Sequence, residues 1–456
     1  MNRIIRHSIL LFVIFSCLDV VGQSKFSIPD RSVSRKVRFQ LINNLIVIPV
    51  EVNGVDLSFV LDTGVSKPIL FNLVNTDSLQ IRNVETIFLR GLGAGGSIKA
   101  LKSKHNVFKV GNAVNVNQDV YVVFDSAINF TPRLGIPVHG IIGYDVFKDF
   151  VVELNYSSKY IRFHRHEGFK YKDSDKWVTL PLTMNNKKPY MDANVSIDGE
   201  DIPVRLLIDT GGSDSLWLFE DSEKSIMPIQ DKQFHDFLGK GLSGSVYGMR
   251  SKVNRFSIEN FSLDNVNVAF PDSSSLSIAR NYKARNGTIA GNMLKRFNYF
   301  FDYRNNKVQL RKNGNFKEPF HYNNSGITLE QRGVRVVREQ VRNNNFDAYG
   351  SAQNDSAQNI DLSINYAYNL KPAYEIVELR ESSNAKAAGL QIGDVIVSIN
   401  NKPAHTLSLQ EVNERFYDRE GKLIRMKIER DKKQMSFQFR LDNVFKKKNP
   451  QNEGSK

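Results

Sequence analysis

Phe59-Val60-Leu61-Asp62-Thr63-Gly64 and Leu206-Leu207-Ile208-Asp209-Thr210-Gly211 repeat one short pattern, an apolar run ending in Asp-Thr-Gly, with the two aspartates 147 residues apart. Each copy is approached by a β-rich stretch closed by a turn. In the first it is Ile46-Val47-Ile48-Pro49-Val50-Glu51-Val52-Asn53-Gly54, and in the second Met191-Asp192-Ala193-Asn194-Val195-Ser196-Ile197-Asp198-Gly199. Asn-Gly and Asp-Gly between alternating apolar residues predict a strand, a tight hairpin turn and a second strand that delivers the aspartate.

The repetition continues downstream of each aspartate. About thirty residues on comes a glycine cluster suited to a mobile hairpin tip, Gly91, Gly93, Gly95 and Gly96 in the first copy and Gly241 and Gly244 in the second. Then His139-Gly140-Ile141-Ile142-Gly143 matches Asn286-Gly287-Thr288-Ile289-Ala290-Gly291, the closing glycines lying 81 and 82 residues beyond their aspartates. Each copy ends in a hairpin pattern, at residues 150–163 and 299–310. Four elements in one order and nearly one register predict an internal duplication, two similar β lobes over residues 38–170 and 171–315.

Apolar-apolar-Asp-Thr-Gly, a glycine-rich flap and apolar-apolar-Gly, all in duplicate, resemble the aspartic proteases, pepsin-like and retroviral-like together. The resemblance covers about 280 residues. It implies a catalytic pair, Asp62 and Asp209, whose carboxyl groups share a proton and activate water. It makes Thr63, Gly64, Thr210 and Gly211 the supports of the two active-site loops, with the threonines cross-linking them. It makes Ile141-Ile142-Gly143 and Ile289-Ala290-Gly291 the packing behind those loops. The chain departs from the pepsin pattern in placing Val65 and Gly212, rather than a hydroxyl residue, directly after the tripeptides, with Ser66 and Ser213 one step later. The first flap carries no tyrosine and Tyr247 lies beyond the second glycine cluster, so the site leans toward the retroviral-like form.

The third region begins after a composition shift. Residues 316–364 are polar and asparagine-rich, read as a linker with a possible first strand of the next domain. Residues 365–445 follow, with Tyr374-Glu375-Ile376-Val377-Glu378-Leu379, an alanine-rich turn of helix stopped by Gly389, Ile392-Gly393-Asp394, and Val395-Ile396-Val397-Ser398-Ile399-Asn400. These resemble a PDZ domain, an α+β fold that captures peptide C-termini beside one of its strands. A Gly-Leu-Gly-Phe loop before Tyr374 is missing, so the fold reading reaches further than the binding reading. The fold class expected for the whole is therefore mostly β: two homologous closed-β protease lobes and then a small α+β PDZ domain.

Composition sets the remaining bounds. The 456 residues carry 62 Lys and Arg against 48 acids, a net charge of +14. The basic residues are scattered, with no run longer than Lys446-Lys447-Lys448 in the tail 446–456, which argues against nucleic acid as a partner. Arg3 and Arg6 before Ile9-Leu10-Leu11-Phe12-Val13-Ile14-Phe15 predict a signal peptide over 1–22, cut before Gln23, with 23–37 as an N-terminal segment. An alternative reading acylates Cys17, the sole cysteine, as a lipid anchor. Loss of that cysteine would leave no thiol for a disulfide, nucleophilic catalysis or a Cys-ligated zinc, and none of the histidines has metalloprotease spacing. The sequence thus predicts an exported aspartic endopeptidase, periplasmic or extracellular, without cofactor or metal and without a transmembrane span. It is expected to act as a monomer on a polypeptide, with the PDZ domain recruiting substrate or regulating. The contrasting reading is a non-catalytic peptide-binding protein that keeps the protease fold.

Overall fold

The computed structural model describes residues 24–29, 35–73, 79–125, 128–341 and 365–445. The signal peptide, Cys17, the two Asn-rich runs at 343–345 and 351–359 and the basic tail lie outside them. The chain divides into two compact units. One holds the residues up to Asn129 and Pro137–Phe320, and the other holds Phe130–Ile136 and the chain from His321 onward.

Two eight-stranded sheets of one topology make up most of the first unit. In the first lobe the order is Gln40–Ile42, Leu45–Val52, Val55–Leu61, Gly140–Ile142, Ile69–Leu70, Ala113–Val122, Ile98–Val110 and Val84–Leu89. In the second it is Thr183–Asn185, Lys188–Ile197, Glu200–Asp209, Gly287–Ala290, Leu216–Leu218, Phe261–Pro271, Gly244–Ile258 and Gln233–Gly241. In both, the second strand also pairs with the long seventh strand, so the sheet closes on itself and buries its inner face. The turns that start each lobe sit in the left-handed region, Asn53 at φ 48° and Gly54 at 86°, Asp198 at 51° and Gly199 at 90°. That conformation is why Asn-Gly and Asp-Gly occur there.

The lobes share a six-stranded base sheet. Val151–Asn155 from one lobe pairs antiparallel with Phe297–Asp302 from the other, Val152 opposite Phe301. Aromatic side chains fill the seam, with Phe147 edge-on to Phe301 at 5.6 Å and stacked on Tyr303 at 5.1 Å. One continuous apolar core therefore runs through both lobes, which makes them one rigid support rather than two beads on a string.

The structural register corrects one detail of the repeat. Leu61 pairs with Ile142 and Ile208 with Ile289, so Gly143 is equivalent to Ala290, and Tyr144, not Gly143, to Gly291. Backbone bonds agree, since Tyr144 N–H donates to Val65 O as Gly291 N–H donates to Gly212 O.

In the second unit the sheet order is Ile327–Val341, Asn365–Leu379, Val395–Ile399, Leu423–Arg430 and Lys433–Arg440. The strand at Ile327–Val341 lies within the stretch read from sequence as linker, and its alternating apolar residues, Ile327 and Leu329, are buried where it meets the core. The helix Leu409–Glu414 starts at a capping box of Ser408 and Glu411 and buries Leu409 and Val412. Buried Asp394 fixes the Ile-Gly-Asp turn: it accepts from Arg430 Nε at 2.6 Å and Nη2 at 2.8 Å and from Gln391 N–H at 2.8 Å. The short helix Thr131–Leu134 belongs to this unit, where Arg133 Nε donates to Glu330 at 2.8 Å.

Candidate active site

Each Asp-Thr-Gly loop begins where a strand runs out. Val55–Leu61 and Glu200–Asp209 lie parallel to Gly140–Ile142 and Gly287–Ala290 respectively, and a parallel pair leaves the loop between strand and next element free to turn inward. Asp62 N–H is tied back to Ile142 O at 2.8 Å. The loops then fasten to each other. Thr63 Oγ1 donates to Ile208 O at 2.6 Å and accepts Thr210 N–H at 3.1 Å, while Thr210 Oγ1 donates to Leu61 O at 2.6 Å and accepts Thr63 N–H at 3.1 Å. Both threonines are fully buried. Four hydrogen bonds in a closed, buried ring hold the loops more firmly than the same bonds would at the surface.

This ring brings the carboxyl groups together. A methyl group built on Gly211 would lie 2.4 Å from Asp62 Oδ2, and one built on Gly64 would lie 3.4 Å from Asp209 Oδ1. At Gly211 only glycine lets the loop approach the other's carboxylate so closely. Asp62 Oδ1 accepts Gly64 N–H at 2.6 Å and Asp209 Oδ1 accepts Gly211 N–H at 2.9 Å. The protein packed around Asp62, and then the negative charge of Asp209, push its pKa up to about 8, against the pull of Gly64 N–H and of Lys188. Two carboxyl groups in such proximity resist double ionisation. Tyr303, whose buried hydroxyl has no hydrogen-bond partner among the described residues, is itself raised by burial first and then by the charge of Asp62.

The residues after the tripeptides have a packing explanation. Gly143 has no room for a side chain, since a Cβ would meet Asp62 O at 1.9 Å, and it lies against Val65. In the other lobe the sizes are exchanged: Ala290 occupies the place of Gly143 and its Cβ would sit 3.0 Å from one on Gly212. Val65 with Gly143 and Gly212 with Ala290 are thus two ways to fill one space behind the dyad loops.

The glycine clusters lie at the tips of two hairpins, Val84–Leu89 with Ile98–Val110 and Gln233–Gly241 with Gly244–Ile258. The tips meet. Gly95 N–H donates to Ser243 O at 2.7 Å, Ser243 N–H to Leu92 O at 2.9 Å, and Gly91 N–H to Ser243 Oγ at 3.0 Å. Gly93, at φ 119°, and Gly241 lie so close to the opposite tip that a Cβ would fall 2.5 Å and 2.3 Å from its backbone. Gly96 has open space around it, and Gly244, at φ 110°, closes its hairpin opposite Gly241. Leu92 also packs on Phe219, Leu276 and Ala279 of the second lobe. Tyr247 stands on the second hairpin beside Phe237 and His235. Trp217 is held in place by its indole N–H, which donates to Asp214 Oδ2 at 2.7 Å, and Asp214 in turn takes Arg250 at 3.1 Å.

Lys188 and Arg285 escaped the sequence reading, although both act electrostatically on the dyad. The duplication held the signal: their counterparts in the first lobe, Leu45 and Val138, are apolar, and an internal repeat that changes an apolar residue to a cation marks a position to examine.

Comparison with known families agrees with this architecture. Residues 48–146 and 193–289 each match the aspartyl protease family, and residues 375–430 match the PDZ domain family. No curated protein matches the chain. The chain thus carries two regions that match the aspartyl protease family, one in each lobe, followed by a region that matches the PDZ domain family.

Proposed function

We infer that the protein is an aspartic endopeptidase that cuts polypeptides by direct attack of water. The observation that carries this reading is the interlocked pair of loops, in which each tripeptide's glycine abuts the other's carboxylate. In the reaction, water between the carboxyl groups loses a proton to Asp209 while its oxygen bonds to the scissile carbonyl carbon. Asp62 gives its proton to the carbonyl oxygen, producing a neutral tetrahedral diol. The proton held by Asp209 then passes to the amide nitrogen, the C–N bond breaks, and a diol hydroxyl returns its proton to Asp62. Both carboxyl groups end as they began. The raised pKa of Asp62 supports its role as acid, because it keeps its proton at neutral pH.

The leader at 1–22 supports an exported enzyme, periplasmic or extracellular, released at Gln23 or held by a lipid at Cys17. The PDZ domain supports recruitment of substrate by a peptide terminus. A proteomic cleavage-site profile, run with wild type and with Asp209→Asn, tests the activity. Internal cuts present with wild type and missing with the variant are expected. Cuts common to both proteins, or to neither, would turn the reading toward a peptide-binding protein.

A further inference from the structure

The two lobes allow one wall of the dyad to be compared with its own repeat. In the second lobe, Lys188–Ile197 and Glu200–Asp209 pair antiparallel, with Tyr190 opposite Leu207 and Ile197 opposite Glu200. Extended two residues, that register sets Lys188 opposite Asp209. The first lobe has the same register, Val47 opposite Val60, and it sets Leu45 opposite Asp62. The preceding hairpins agree, Asn185 pairing with Lys188 as Ile42 pairs with Leu45. The paired ladder ends at Tyr190 and Leu207, and Lys188 lies two residues beyond it on the side of Asp209, within reach of the charges of Asp209 and Asp62.

A second cation stands nearby. Arg285 precedes Gly287 by two residues as Val138 precedes Gly140, and those glycines are equivalent in the sheet register, Gly287 with Leu206 and Gly140 with Phe59. Arg285 is 9% exposed; its Nε donates to Gly287 O at 3.0 Å and its Nη2 to Thr288 Oγ1 at 2.6 Å. Neither bond is to a carboxylate. Among the described residues the Lys188 ammonium, half-buried, makes no hydrogen bond and no ion pair within 4 Å. Burying Arg285, over the Phe219 ring at 5.0 Å, and half-burying Lys188 without a contacting counter-ion costs free energy, and the first lobe folds in the same way with a leucine and a valine there. The fold itself does not need these charges. Arg285 also lines a cavity of about 110 Å³ with Lys224, Arg280 and Lys283 against Glu220 and Asp221, Asp221 being paired with Lys224 at 3.3 Å.

We propose that Lys188 and Arg285 form a cationic subsite on the second-lobe side of the dyad that receives a carboxylate of the substrate chain, so that cleavage falls beside an acidic group in one fixed direction. This rests on the endopeptidase reading above. Burial and the neighbouring Arg285 lower the Lys188 pKa, and the charges of Asp62 and Asp209 oppose that shift; a substrate carboxylate adds to the second pair of influences. The carboxylate can come from an Asp or Glu side chain or from a chain terminus.

Matched peptides test the proposal on the full chain: Glu or Gln at each position flanking the scissile bond, each with a free or an amidated C-terminus. The proteins are wild type, Lys188→Leu, which copies the first lobe, and Lys188→Arg. Wild type should favour the carboxylate peptide by about tenfold or more in kcat/KM, chiefly through KM and on one side of the bond only. In Lys188→Leu the ratio should fall below about twofold, and Lys188→Arg should restore it. A preference that survives amidation assigns the side chain as the source, and one that amidation removes assigns the terminus. A wild-type ratio near one, or an equal ratio in Lys188→Leu, overturns the proposal. Should no peptide be cut, calorimetric affinities of the Glu and Gln peptides for the same three proteins decide it separately: about tenfold tighter binding of Glu that Lys188→Leu abolishes supports the subsite, and equal affinities overturn it.

Discussion

Asp62 carries a large electrostatic tension. Its pKa in the folded protein, about 8, stands well above the value near 4 of a free aspartate. Because the folded value is the higher one, the folded state binds the proton more tightly. The associated stability is complete below about pH 4 and is lost as pH rises toward 8. Asp62→Asn, which cannot ionise, should therefore raise the thermal midpoint by at least about 3 °C at pH 7.5, and the gain should vanish near pH 3.5. Melting curves at the two pH values check this, and equal midpoints at pH 7.5 would refute it. Thr210 makes the complementary case, a neutral group whose worth is its geometry. Thr210→Ala deletes one buried donor and strands Thr63 N–H, costing about 2–3 kcal/mol in denaturant unfolding. Thr210→Ser should restore most of that loss.

At the scale of elements, the hairpin tips join the lobes by three hydrogen bonds and by glycine-only close contacts. Gly93→Ala introduces a side chain both at a left-handed φ and within 2.5 Å of Ser243. Kinetics and melting measured together should show kcat/KM falling about tenfold or more with little change in the melting midpoint, because the tips lie away from the core; an unaltered kcat/KM would count against a role for the tip junction. Most of the architecture at this scale was legible in the sequence, for physical reasons. Tight turns demand Asn-Gly or Asp-Gly, closed sheets demand alternating apolar residues, and duplication displays each demand twice. The register error at Gly143 and Gly291 arose because spacing alone cannot tell which residue of an apolar-apolar-Gly run enters the strand pair. Val65 and Gly212 looked like irregularities of chemistry and became intelligible only as packing partners of Gly143 and Ala290. Lys188 and Arg285 were marked in the repeat by their apolar counterparts Leu45 and Val138, but their place beside the tripeptide depends on strand register, which joins residues about twenty positions and more from it. The strand at Ile327–Val341 was legible only as a possible one, because charged and polar residues interrupt its alternation and Val334 and Val336 are exposed.

For the whole molecule, the chain joins three expectations: a leader, a duplicated protease-type body and a PDZ domain. N-terminal sequencing of the protein matured in a bacterial host should read Gln23 first, whereas a blocked, lipid-labelled Cys17 would assign the anchored form. No helix among the described residues is long and apolar enough to cross a membrane. The proposed subsite would give the duplicated body a direction, and a catalytic pair at the junction is what would turn that body into an enzyme. The most direct measurement of this central claim is the initial rate of hydrolysis of a quenched-fluorescent unfolded substrate by wild type, Asp62→Asn and Asp209→Asn, each shown by circular dichroism to be folded. Measurable turnover by wild type and a loss of at least about a thousandfold in each single variant are expected. Full activity retained by either variant would contradict the claim.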